Sequence, residues 1–144
     1  FSRHAPTPCR VLDIGCGQGR DALFIARAGH AVVGVDLSPN GIGDLKAAAQ
    51  REHLAIDGIV ADITTFAPPG TFDIILIDRT LHMLAEAARL TVLARLLDHV
   101  TPKGWVLIAD ERANIAGFQQ VIADHRAAWL TERAKGGTLF VRRG

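Results

Sequence analysis

The stretch Val11-Leu12-Asp13-Ile14-Gly15-Cys16-Gly17-Gln18-Gly19 constrains this chain more than any other. A short apolar β run enters a turn holding three glycines, and Asp21 followed by Ala22, Leu23, Phe24, Ile25 and Ala26 then opens a helix. A glycine-rich turn between a buried strand and a helix suits a ligand for two reasons. No side chain keeps the ligand off the backbone N–H groups, and glycine alone reaches positive φ at little cost. Gly29 closes the helix, Ala31 to Val35 forms a second apolar β run, and Asp36 stands at its carboxyl end. A carboxylate in that place can accept both hydroxyls of a ribose, the alternative being a surface acid that caps the next helix.

The glycine spacing narrows the ligand. The nicotinamide fingerprint is G-x-G-x-x-G, whereas this chain reads G-x-G-x-G with Asp13 inside the motif. A buried acid there calls for a cation or a donor, and an amino group on the ligand would supply one. A nicotinamide-dependent oxidoreductase domain is disfavoured on that ground. It is disfavoured again because the chain has no tyrosine for a Tyr-x-x-x-Lys pair.

VLDIGCGQG, followed by Val33-Gly34-Val35-Asp36-Leu37-Ser38, resembles the first two motifs of the class I S-adenosylmethionine-dependent methyltransferases. Further segments resemble that family in the same order: Ile59-Val60-Ala61-Asp62, then Phe72-Asp73-Ile74-Ile75-Leu76-Ile77, then Leu97 through Thr101-Pro102-Lys103-Gly104-Trp105-Val106-Leu107-Ile108. Each is weak alone, but ordered as successive strand ends of one sheet they are hard to obtain by chance. The segment Asp78-Arg79-Thr80-Leu81-His82 is similar to the small-molecule branch that includes thiopurine-type and tellurite-resistance-type enzymes.

The resemblance implies one S-adenosylmethionine-binding domain over residues 1–144. Its cofactor site would draw on Asp13, Gly15, Cys16, Gly17, Gly19, Asp36, Leu37, Ala61, Asp62, Ile63 and Asp78. It also implies methyl transfer to a small-molecule acceptor such as a thiol or similar soft nucleophile. A non-catalytic or truncated cofactor-binding module stays open beside it. The family usually carries a helical segment over the cofactor, yet ten residues precede Val11 and the first is Phe1, which implies a trimmed molecule or an open site. Activity of the chain as it stands is therefore left open.

Alternating strands and helices predict an α/β fold, a three-layer, doubly wound Rossmann-like sheet that is mostly parallel. Ser38-Pro39 suits an N-cap and first turn, while Gly41 and Gly43 weaken the helix they begin by about 1 kcal/mol each. Strands are expected at Ala55 to Val60, Phe72 to Ile77 and Trp105 to Ala109, with helices between them. The last helix is expected to carry Ile115, Phe118, Ile122, His125 and Trp129 at helical spacing. Thr138 to Val141 then gives one short terminal strand, antiparallel, for about six strands where the family has seven.

In open α/β sheets a ligand lies at the carboxyl ends of the strands where strand order reverses, here between strands one and four. Asp78, Arg79 and His82 leave strand four at that point and are the candidate catalytic, acceptor-side residues. Their plainer readings are a local ion pair and a helix cap. Arg79 and His82 would share a face if Thr80 to Leu84 begins a helix. Asp62 suits the adenine edge or merely a turn. Asp110, Glu111 and Arg112 read best as a solvated loop.

Composition adds exclusions. A chain of 144 residues, 49% apolar, holds one core, and a net charge of +1 gives no broad footprint for nucleic acid. The basic residues Arg126, Arg133, Lys135, Arg142 and Arg143 read as a solvated face, and no Asn/Asp-Pro-Pro-aromatic motif for a flipped base follows strand four. No apolar run reaches the ~20 residues of a membrane span, and no signal peptide is visible, so a cytoplasmic protein without membrane partners is expected. Cys9 and Cys16 are expected to stay reduced, and six scattered histidines predict no metal site. The oligomeric state is not legible.

Overall fold

A computed structural model describes residues 8–144, which divide into two compact units, one ending at Phe66 and one running from Ala67 to Gly144.

In the first unit, β1 (Arg10–Ile14), β2 (Ala31–Asp36) and β3 (Ile56–Val60) run parallel in the order β3-β2-β1. The middle strand buries Val32, Val33, Gly34 and Val35 in succession, as a parallel strand covered on both faces does. The helix α1 (Arg20–Arg27) faces the strands with Ala22, Ile25 and Ala26, and α2 (Pro39–Glu52) with Ile42, Leu45, Ala48 and Ala49. The start of α2 forms as its sequence dictates: Pro39 occupies the first turn and Ser38 Oγ accepts the Gly41 N–H at 3.0 Å. Gly41 has a packing reason to be glycine, since a Cβ there would lie 3.0 Å from the Gly17 carbonyl oxygen. A Cβ on Gly43 would meet nothing.

In the second unit, β4 (Phe72–Asp78) and β5 (Val100–Ala109) are parallel, and β6 (Trp129–Lys135) and β7 (Thr138–Arg143) form an antiparallel hairpin whose β7 lies on β5, giving β4-β5-β7-β6. The helices α3 (Glu86–Leu97) and α4 (Ile115–Asp124) cover it, and the core gathers Phe72, Ile75, Leu93, Leu97, Ile108, Phe118 and Leu139.

The described residues therefore hold an α/β fold of mostly parallel strands, with seven strands rather than about six and two antiparallel terminal strands rather than one. The difference lies at Trp129, expected to continue the last helix. That helix stops at Asp124 because His125 turns out of helical geometry, at φ −69° and ψ 149°. Its Nδ1 accepts the Ala127 N–H at 3.1 Å and the Trp129 indole N–H at 3.3 Å, so the i, i+4 pair is a turn and not a helix face. The strand that follows, WLTERAK, is almost wholly exposed, and its Glu132, Arg133 and Lys135 are the charges that keep an edge strand from pairing further. Strand β5 also starts earlier than expected and runs through Pro102 and Gly104, with Lys103 at φ 66° absorbing the irregularity. No helix among the described residues is long and apolar enough to cross a membrane.

Candidate active site

The glycine turn of the first unit has the backbone its sequence calls for. Gly15, Gly17 and Gly19 all take positive φ, at 74°, 57° and 93°. The N–H groups of Gly15 and Cys16 both donate to the Val35 carbonyl, at 2.7 and 3.0 Å, tying the turn to the end of β2. Gly17 N–H donates to Asp36 Oδ1 at 3.3 Å, and Asp36 Oδ2 accepts the Ser38 N–H at 3.0 Å. Asp36 thus holds the turn on one side and the N-cap of α2 on the other, and each carboxylate oxygen keeps a further lone pair for a ligand hydroxyl.

The glycines differ in what surrounds them. A Cβ on Gly17 would meet no protein atom within 4 Å, whereas one on Gly19 would collide with Leu45 Cδ1. Gly17 borders open space and Gly19 borders core.

Around the turn, Asp13 is 2% exposed within β1, and Leu37, directly after Asp36, is an apolar side chain left 69% exposed. Ala61 N–H donates to the Asp36 carbonyl at 3.0 Å, which brings the segment after β3 beside the end of β2. Asp62 Oδ1 accepts both the Thr64 hydroxyl at 2.7 Å and the Thr64 N–H at 2.9 Å, and these bonds hold its carboxyl below the usual range. Ile63 is half-buried between them. Burial first, then the charges of Asp13 and Asp36, push the Cys16 thiol up to about 12. Cys16 is therefore a neutral small side chain and not a nucleophile.

In the second unit, Asp78 is the half-buried last residue of β4, and Arg79 is exposed at φ 53° with its N–H on the Ala109 carbonyl at 2.7 Å. The helix that would set Arg79 and His82 on one face does not form. Only a single 3-10 turn, Leu81–Met83, follows, because Leu84 and Ala85 are extended. His82 is instead held from across the fold: its backbone N–H donates to Asp110 Oδ2 at 3.0 Å.

Asp110 corrects the expectation of a solvated loop. It is 2% exposed, although Glu111 and Arg112 beside it are exposed. Its Oδ1 accepts the Glu111 N–H and the Asn114 amide, both at 2.8 Å, and Arg89 of α3 then reaches Asn114 Oδ1 and the Leu84 carbonyl, both at 3.0 Å. Asn114 and Arg89 were not legible as site residues. The four-residue spacing of Asp110 and Asn114 was visible, but nothing in sequence marks Arg89 as reaching it.

The model of the family described as "Methyltransferase domain" matches residues 11–104, a span that includes the glycine turn, Asp36, Asp62 and the Asp78 to His82 segment. The chain belongs to this family. Among curated proteins it is 35% identical over 101 residues to Hemagglutinin 1 of Eikenella corrodens, covering 70% of this chain and 34% of that protein. It is 32% identical over 134 residues to the ubiquinone biosynthesis O-methyltransferase of Bradyrhizobium diazoefficiens, covering 92% and 52%. It is 30% identical over 103 residues to the probable S-adenosyl-L-methionine-dependent methyltransferase TehB of Haemophilus influenzae, covering 71% and 36%. The chain thus spans between a third and about half the length of these relatives. The crystal structure of TehB from Haemophilus influenzae matches the fold with a TM-score of 0.75 at 20% identity, over 96% of this chain and 58% of that one.

Proposed function

We propose that this methyltransferase-family chain is one S-adenosylmethionine-binding domain that transfers a methyl group to a small-molecule acceptor, a thiol or similar soft nucleophile. The observation that carries the reading is the Gly17–Asp36 pair. A backbone N–H with open space over its Cα sits against a carboxylate that caps the ends of two elements. The donor set fits the cofactor. Asp36 matches ribose hydroxyls, the exposed Leu37 matches an adenine face, and the buried Asp13 carboxylate matches an amino group. Residues 61–63, Ala61, Asp62 and Ile63, complete the adenosine side, and Gly15, Cys16 and Gly19 shape the turn.

When bound, S-adenosylmethionine would supply a methyl group already activated on a sulfonium, so that the protein's task is alignment and exclusion of water. Asp78, Arg79 and His82 are assigned to the acceptor side. The span of the family match, which reaches from the turn past His82, supports one domain. A cytoplasmic setting belongs to the same proposal.

Calorimetric titration with S-adenosylmethionine, S-adenosylhomocysteine and NAD tests the class. Heat from the first two and none from NAD is expected, and saturable binding of NAD alone would overturn it. His82→Ala and Arg79→Ala should bind S-adenosylmethionine within a few-fold of wild type and lose transfer, as residues acting after cofactor binding do.

A further inference from the structure

We infer that Asp110, Asn114 and Arg89 are positioning residues that fix the ring proton of His82 on Nδ1 and leave Nε2 as a ready proton acceptor. This rests on the acceptor-side assignment of His82 above. His82 Nδ1 is buried, has no hydrogen-bond partner and lies 3.9 Å from Asp110 Oδ2. The Asp110 side chain has no solvent exposure, while that of His82 keeps 24%. A neutral imidazole carries one N–H. With the proton on Nε2, the bare lone pair of Nδ1 would face a buried carboxylate oxygen in a low-dielectric setting, acceptor against acceptor. With the proton on Nδ1, an N–H dipole points at that oxygen, and a small ring rotation closes the hydrogen bond.

The remaining bonds explain why the carboxylate stays in place. Oδ1 is occupied by two donors, Glu111 N–H and the Asn114 amide, and Oδ2 by one, the His82 N–H, which leaves acceptor capacity on the side of the ring. Arg89 pins Asn114 in the orientation that donates to Asp110, because its guanidinium takes the Asn114 carbonyl oxygen, and its second arm holds the Leu84 carbonyl at the end of the same segment. The hairpin supports the network from another side: Asp110 N–H donates to the Gly137 carbonyl at 2.8 Å, and a Cβ on Gly137 would collide with the Asp110 carbonyl oxygen.

The acceptor class this arrangement serves is one whose nucleophile arrives carrying its proton, which within the proposed soft acceptors is a thiol. That proton passes to Nε2, the ring becomes imidazolium with both N–H groups in use, and the Nδ1–H rests against the Asp110 carboxylate. The exposed part of the ring then returns the proton to water.

Long-range proton–nitrogen NMR of the ¹⁵N-labelled chain at pH 8, with the His82 signals identified by their loss in His82→Gln, reads the ring proton directly. The expected result is a protonated Nδ1 and a bare Nε2. In Asp110→Asn the two donors at the Oδ1 position hold the amide oxygen there, the amide NH₂ takes the Oδ2 place at the cost of the bond from the His82 backbone N–H, and the ring proton moves to Nε2. A wild-type ring protonated on Nε2 overturns the inference whether or not the variant folds, and so does an unchanged ring proton in Asp110→Asn. Calorimetric S-adenosylmethionine binding by wild type is read separately, so failure of the methyltransferase reading leaves a different mark from failure of this one.

Discussion

Gly17 and Asp36 are 19 residues apart in sequence, yet the N–H of the first donates to the carboxylate of the second at 3.3 Å. That bond joins the turn after β1 to the end of β2 and puts open backbone beside a carboxylate of the kind that can accept ribose hydroxyls.

Asp36→Ala should cost about 1.5–3 kcal/mol of S-adenosylmethionine affinity, the scale of hydrogen bonds to a charged group. Calorimetry with a 2′-deoxy analogue gives the control: the analogue should lose little further affinity in the variant, because the partner of that hydroxyl is already gone. Full additivity of the two losses would place the hydroxyl elsewhere.

Gly17 and Gly19 should separate binding from stability. Gly17→Asn adds a side chain that tolerates positive φ to open space, so cofactor binding should vanish while the melting temperature stays within a few degrees of wild type. Gly19→Ala drives a Cβ into Leu45 and should instead lower stability by about 1–3 kcal/mol, as overpacking does. Thermal melts and titrations of the pair check this. Unimpaired binding in Gly17→Asn would remove the ligand from the turn.

A pH dependence follows from Asp98. Burial works against its ionisation, but hydrogen bonds from His125 Nε2 at 2.8 Å and Arg126 at 2.6 Å outweigh it and hold the carboxyl below its usual range. As pH falls the unfolded chain takes up this proton first, so the stabilisation is complete above the unfolded value of about 4 and drains away as pH falls through the native one. With the carboxylate 43% exposed and therefore screened, Asp98→Asn should cost about 0.5–1 kcal/mol at pH 7 and less at about pH 3, where the unfolded chain already holds much of the proton. Urea denaturation at both pH values measures it, and a cost that does not fall with pH contradicts the assignment.

The parts of the fold that were legible are those set by neighbours in sequence. The turn between β1 and α1, the acid ending β2 and the Ser38–Pro39 helix start each follow from a few adjacent residues. What was not legible depends on distant partners. Asp110 reads as a solvated acid until the His82 N–H, 28 residues earlier, is found on it. Trp129 fits a helix face until the His125 ring is seen to end the helix. The expected face shared by Arg79 and His82 is absent because Leu84 and Ala85 are extended, and the His82 N–H is on Asp110, 28 residues later.

S-adenosylmethionine is expected to bind this methyltransferase-family chain on the glycine turn and the ends of β2 and β3. The most direct test is a ¹H–¹⁵N NMR titration of the assigned chain with S-adenosylmethionine. Amide shifts are expected at Gly15, Gly17, Leu37 and Ala61 to Ile63, with the amides of Ala127 and Trp129 unmoved. A saturating titration that leaves Gly17 and Leu37 unshifted, or that moves only residues away from the turn, would place the cofactor elsewhere.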